Sequence, residues 1–71
     1  MPNNTQIQRT FGERVRTERE KRRLSQAEFA KQLGIFQPDL CDIEKGRHAV
    51  TLATVERFAS AFNLPASALV E

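Results

Sequence analysis

Between Leu24 and Arg47 the apolar residues fall at helical spacing twice, with one glycine between the two stripes. Phe29, Ala30 and Leu33 form the first stripe; Phe36, Leu40 and Ile43 form the second. Ser25 precedes the first stripe and Glu28 lies three residues on. Each side chain can bond the other's backbone N–H, which is a capping box. Leu24 and Phe29 flank the box at the spacing of a hydrophobic staple. Gly34 tolerates the left-handed backbone that closes a helix. The pattern predicts a helix over about 26–33, a tight turn, and a second helix over about 37–45. Pro38 lies in the first turn of that second helix and Gly46 ends it.

The flanks read as supports for this pair. Thr10 and Glu13 make a second capping box, which predicts a helix from Phe11 to Arg22. Its stripe begins with Phe11 and Val15 but then meets Glu18, Arg19 and Arg22 where apolar residues belong. A charge on an inward stripe needs a partner. Glu44, one turn past Leu40, is inward-facing on its own helix, so an Arg19–Glu44 bridge is expected; the alternative is that both side chains snorkel to solvent. Thr51 caps a fourth helix, with Val50 and Val55 as a staple and Leu52, Val55, Phe58, Ala59 and Phe62 inward. Asn63 suits a left-handed C-cap, with Leu64 folding back onto Phe58 or Ala59. Pro65 opens a short fifth helix through Leu69. The expected fold is all-α, a compact bundle of five short helices. Its core is Val15, Leu24, Phe29, Leu33, Leu40, Ile43, Leu52, Val55, Phe58, Phe62 and Leu69. Residues 10–71 form the domain, and residues 1–9, polar apart from Ile7, form a flexible N-terminal arm.

Two short helices joined by a tight, glycine-containing turn are a helix-turn-helix. Gln26-Ala-Glu-Phe-Ala, Gly34, Gln37 and Ile43-Glu-Lys-Gly-Arg47 together resemble the Cro/phage-repressor (XRE-type) family of helix-turn-helix domains, over roughly Phe11 to Val70. The resemblance implies a lambda-repressor-like DNA-binding domain in which an Arg19–Glu44 bridge ties the first helix to the recognition helix. It also implies that Gln26 contacts a phosphate and braces Gln37 from behind. Five positions depart from the family pattern: Asp39 and Asp42 bring acidic groups that repel phosphate, and three others differ in type. Glu18 replaces a common apolar residue, Arg23 stands where glycine is common, and Pro38 replaces a hydrogen-bonding residue.

Charge sharpens this picture only slightly. The net charge is +2, divided as +4 over residues 1–32 and −2 over residues 33–71. A basic N-terminal half is compatible with phosphate contact. Seventy-one residues make one domain with a modest core. No apolar run approaches the ~18 residues of a membrane span, and no secretory signal is present, so a cytoplasmic protein without membrane contact is expected. The single cysteine excludes an internal disulfide. With one histidine, His48, no metal site is expected, and no cofactor. No nucleophile–base set or glycine-rich phosphate loop supports an enzyme.

In a helix-turn-helix the second helix enters the major groove, and its N-terminal residues meet base edges. The expected base contacts are Gln37, Pro38 and Asp42, with Cys41 alongside. A glutamine amide pairs with adenine N6 and N7, a proline can pack on a thymine methyl, and an aspartate can accept from cytosine N4 or simply face solvent. Asp39 favours the helix dipole. The expected phosphate contacts are Gln26, Arg22, Arg23, Lys45 and Arg47, which fix register without reading sequence. Cys41 reads as a tolerated small residue rather than a redox switch, since Asp42 beside it disfavours the thiolate. The function expected is a sequence-specific transcriptional regulator, a repressor, binding a palindromic operator in double-stranded DNA as a homodimer. Leu64, Leu69 and Val70 are the expected dimer contacts. The alternative is an antitoxin-like or adapter module, in which Asp39 and Asp42 face a protein partner.

Overall fold

In the computed structural model, which describes residues 4–71 and side chains from Gln6 onward, four α-helices are followed by one turn of 3-10 helix. They are α1 (Asn4–Lys21), α2 (Gln26–Leu33), α3 (Gln37–Glu44), α4 (Leu52–Phe62) and the 3-10 turn Ala66–Leu69. No strand occurs among the described residues.

The caps of α2 form as expected. Ser25 Oγ accepts from the Glu28 N–H at 3.0 Å, and Glu28 Oε1 accepts from the Ser25 N–H at 3.0 Å. Gly34 closes α2 in the left-handed region at φ 72°. Thr51 caps α4, and Asn63 closes it at φ 58°. The Leu64 N–H returns to the Ala59 carbonyl at 2.8 Å, which folds Leu64 back onto the core.

Three expected elements are corrected. First, α1 begins at Asn4, about two turns before Phe11. Thr10 therefore lies inside the helix and caps nothing, and residues 4–9, expected in a flexible arm, are helical; residues 1–3 of that arm lie outside the described residues. The early turns have a partner that local sequence does not reveal. A Cβ built on Gly46 would lie 2.9 Å from Arg9 Cγ and 3.0 Å from Arg9 Cα, so the loop after α3 packs directly on α1. Second, the expected fifth α-helix is a single 3-10 turn, giving four α-helices. Its four residues are too few for an i→i+4 ladder; the Ala68 N–H bonds the Pro65 carbonyl at 3.0 Å instead. Third, α3 stops at Glu44, and Lys45 is its C-cap.

The core joins all five elements. Phe11, Val15, Phe29, Ala30, Leu33, Leu40, Ile43, Val55, Phe58, Ala59, Phe62 and Leu69 are buried. Phe58 meets Phe11 and Phe29 edge-on at 5.3 and 5.9 Å, and Phe29 stacks on Phe62 at 4.8 Å. Leu24 is only half-buried against this cluster. Two residues assigned to inward stripes are outside it: Phe36 is 78% exposed and Leu52 is 71% exposed. Phe36 is the N-cap of α3, and its extended backbone (φ −71°, ψ 139°) takes it off the helical register; Ile35 packs on the core in its place. Leu52 occupies the first position of α4, and Val50 from the preceding loop packs against the core there instead. Leu69 is fully buried within the chain, so it is not available as a dimer contact, whereas Val70 is 39% exposed.

Helix α1 crosses α3 without a side chain between the backbones. A Cβ at Gly12 would stand 2.3 Å from the Ile43 carbonyl oxygen and 2.8 Å from that of Glu44. Arg23 takes the left-handed conformation at φ 57° in the turn between α1 and α2, where a glycine would be unstrained.

Candidate nucleic-acid interface

Helix α3 divides into two faces. Leu40, Ile43 and Glu44 are buried; Gln37, Pro38, Asp39 and Asp42 are exposed, and Cys41 is half-buried between them. Pro38 and Asp39 recur with Asp42 at helical spacing, and with Phe36 and Gln37 they make the exposed N-terminal end of the helix. Pro38 occupies the second helical position, where its missing N–H leaves no ladder bond unmade. The Asp39 and Leu40 N–H groups both bond the Phe36 carbonyl, at 3.1 and 3.2 Å, so the tip of the helix is fixed.

The buried face is anchored by charge. Arg19 Nε and Nη2 donate to Glu44 Oε2 and Oε1 at 2.7 and 3.1 Å, and Nη1 donates to the Leu24 carbonyl at 2.7 Å. Gln26 Nε2 donates to Glu44 Oε1 at 3.0 Å. One carboxylate thus joins the C-terminal half of α1, the first residue of α2 and the last residue of α3. The Glu44 hydrogen bond raises the Arg19 pKa above its ordinary value, against the opposing effect of burial. The brace that Gln26 makes runs to Glu44 rather than to Gln37.

The phosphate-contact candidates separate into two groups. Lys45, Arg47 and Arg23 are exposed, Lys45 and Arg47 at the exit of α3. The Arg47 N–H bonds the Asp42 carbonyl at 2.9 Å, which fixes where its side chain leaves the loop. Arg22 is spent on the fold. Its Nη1 bonds the Glu18 carbonyl and carboxylate at 2.9 and 2.8 Å, its Nη2 bonds the Phe62 carbonyl at 2.7 Å, and its guanidinium lies 4.6 Å from the centre of the Phe62 ring. Arg22, with Lys21, holds the Glu18 carboxyl below its ordinary pKa. Glu18 therefore supports Arg22 where an apolar stripe was expected.

A polar cleft of about 220 Å³ lies between α1, α2 and α3, lined by Arg16, Arg19, Gln26, Cys41, Glu44 and Lys45. It brings together three of the predicted contact residues, Gln26, Cys41 and Lys45, and adds Arg16. Arg16 was not among the candidates, although its place one turn before Arg19 puts it on the same side of α1. Its pair with Glu20, 3.4 Å apart and well exposed, is too weak to hold it from another anion. His48 lies in an exposed loop, with Nδ1 3.2 Å from the Ala49 carbonyl.

Residues 10–71 match the sequence model of the family described as "Helix-turn-helix domain". The chain belongs to the helix-turn-helix family. Within it, the chain is of the Cro/C1 (XRE) type. It is similar to an immunity repressor protein of Bacillus phage phi105, 34% identical over 61 residues, which are 86% of this chain and 42% of that one. The chain thus spans less than half the length of that relative. Among solved structures it resembles the restriction-modification controller protein C.AhdI from Aeromonas hydrophila, with a TM-score of 0.78 at 27% identity over 87% of this chain and 94% of that one. It also resembles a helix-turn-helix family transcriptional regulator from Vibrio cholerae, with a TM-score of 0.84 at 25% identity over 94% of this chain and 38% of that one.

As a helix-turn-helix domain, the chain has α2 and α3 as its motif. The caps at Ser25 and Gly34 and the Glu44 anchor fix the angle between the two. No helix among the described residues is long and apolar enough to cross a membrane.

Proposed function

We propose that this domain is a sequence-specific DNA-binding transcriptional repressor that docks as a homodimer on a palindromic operator, with the N-terminal end of α3 in the major groove. The observation that carries this reading is the rigid, exposed edge from Gln37 to Asp42 on a helix whose opposite face is locked by the buried Arg19–Glu44–Gln26 cluster. Recognition needs side chains held in one geometry, and this cluster supplies it. Gln37 reads adenine, Pro38 packs on a thymine methyl, Asp42 accepts from cytosine N4, and Cys41 lines the contact. Gln26, Arg23, Lys45 and Arg47 meet the phosphates. A two-fold protein on a two-fold site places the half-sites about one helical turn apart.

The test is selection from a randomised duplex pool near physiological salt, with the fold of the protein checked by circular dichroism. Enrichment of an inverted repeat is expected. A folded protein that enriches nothing overturns the reading. The acidic face formed by Asp39 and Asp42, which repels phosphate, favours a second reading for that outcome: an adapter or antitoxin-like module whose α3 meets a basic protein surface.

A further inference from the structure

Of the five phenylalanines, four are buried in the core and Phe36 is not. A lone exposed apolar residue is ordinary on a protein surface. The position of this one is not, because it is the N-cap of α3 and the first residue of the exposed edge that continues through Gln37, Pro38 and Asp39.

We propose that Phe36 is a specificity-determining residue whose ring covers the 5-methyl group of a thymine beside the base read by Gln37. The inference rests on the major-groove reading of α3 given above and adds to it the base that Phe36 selects.

Three features support it. The backbone at Phe36 is fixed, since its carbonyl accepts from both Asp39 and Leu40, while its side chain is 78% exposed. A rigid base with an unburied ring is preorganised for contact. The exposed positions of α3 also carry no cation; Lys45, at the C-cap, is the first basic residue along it. The commonest way to read guanine, through arginine or lysine to O6 and N7, is therefore absent from this edge. What remains is one amide, two carboxylates and the apolar surfaces of Phe36 and Pro38. The apolar feature that the major groove offers is the thymine methyl. Phe36 presents much more surface than Pro38 and leads the helix, so it reaches a base pair that Pro38 does not share.

The experiment uses the duplex recovered by selection. Each thymine is replaced in turn by deoxyuridine, which removes only the methyl group, and Kd is measured for the wild-type protein and for Phe36→Ala. Thermal melts check that Phe36→Ala keeps the wild-type fold, as its exposure requires. Besides the thymine that Pro38 covers, one thymine per half-site is expected at which deoxyuridine weakens wild-type binding about fourfold, the worth of one buried carbon group. The same replacement is expected to leave Phe36→Ala unaffected. If the wild type ignores every replacement, or if Phe36→Ala keeps the wild-type deoxyuridine profile, the inference is overturned while the regulator reading stands. If selection enriches no sequence, the regulator reading is overturned and this one with it.

Discussion

The Arg19 guanidinium grips both oxygens of the Glu44 carboxylate, at 2.7 and 3.1 Å, with both side chains almost wholly out of solvent. Twenty-five residues separate the two in sequence, and the pair joins α1 to the end of α3. Its remaining valences are filled as well, by the Leu24 carbonyl on one side and the Gln26 amide on the other. Buried ion pairs contribute little net stability when complete but cost about 3–5 kcal/mol when one partner is removed. A domain of this size holds only roughly 4–10 kcal/mol in total, at ~0.05–0.15 kcal/mol per residue.

Glu44→Ala is therefore expected to remove about 3–5 kcal/mol, a large share of that total, and to unfold the domain outright if the total lies at the low end of its range, as read by urea titration. Replacing both partners together, Arg19→Met with Glu44→Leu, removes the stranded charge and is expected to restore most of the lost stability. A Glu44→Ala protein with the wild-type urea midpoint would show that the bridge is only a surface contact.

This bridge was legible in the sequence because each charge interrupts an apolar stripe, and a charge on a core face has few other resolutions. The caps at Ser25, Gly34, Thr51 and Asn63 were legible for a similar reason: each is a local motif whose bonds close within a few residues. What misled the pattern is tertiary. Thr10 and Glu13 make a good local box, yet the chain is already helical before Thr10, where Arg9 packs on Gly46. Phe36 fits the α3 stripe by count, but a cap residue does not share the helical register. At the candidate interface, Pro38 and Asp42 lie exposed one turn apart as periodicity requires, and Gln37 is exposed in the first turn. The structural role of Arg22 was illegible, because its partner Phe62 lies 40 residues away.

Gly12 tests the packing of α1 on α3. Alanine is the better helix former, so an isolated helix would gain by the change. Here the added methyl would lie 2.3 Å from one backbone oxygen and 2.8 Å from the next, and neither belongs to a flexible side chain. Gly12→Ala is expected to destabilise the domain by about 1–3 kcal/mol through overpacking. A thermal melt at or above the wild-type Tm would mean that the two helices separate without cost.

Acid should weaken the first turn of α2. The Ser25 N–H bonded to Glu28 holds its carboxyl below the ordinary value of 4.5. A lowered folded pKa means that the stabilisation is complete above the ordinary value and is lost as pH falls through the folded one. Glu28→Gln keeps an acceptor for Ser25 but cannot titrate, so the Tm advantage of the wild type over this variant should hold at pH 6 and shrink below about pH 4.5. The carboxylate is exposed, and added salt should narrow the advantage at pH 6 as well. A difference unchanged between neutral pH and about pH 3 would remove charge from the account of this cap.

Arg22 and Arg47 look alike in sequence, and the structure gives them different work. Arg22 latches α1 to the end of α4 through the Phe62 carbonyl and ring, whereas Arg47 is exposed at the exit of α3 with no such tie among the described residues. Arg22→Ala is expected to lower Tm, since it removes the Phe62 carbonyl's side-chain donor and leaves Lys21 as the remaining cation on Glu18, and to leave the salt dependence of DNA binding unchanged in the protein that remains folded. Arg47→Ala is expected to leave Tm unchanged, to weaken binding to every duplex alike, and to reduce the slope of log K against log salt by about one. The reverse pattern, a salt slope altered by Arg22 and a melting temperature altered by Arg47, would place the phosphate backbone along the α1–α4 side and so rotate the docking of α3 in the groove.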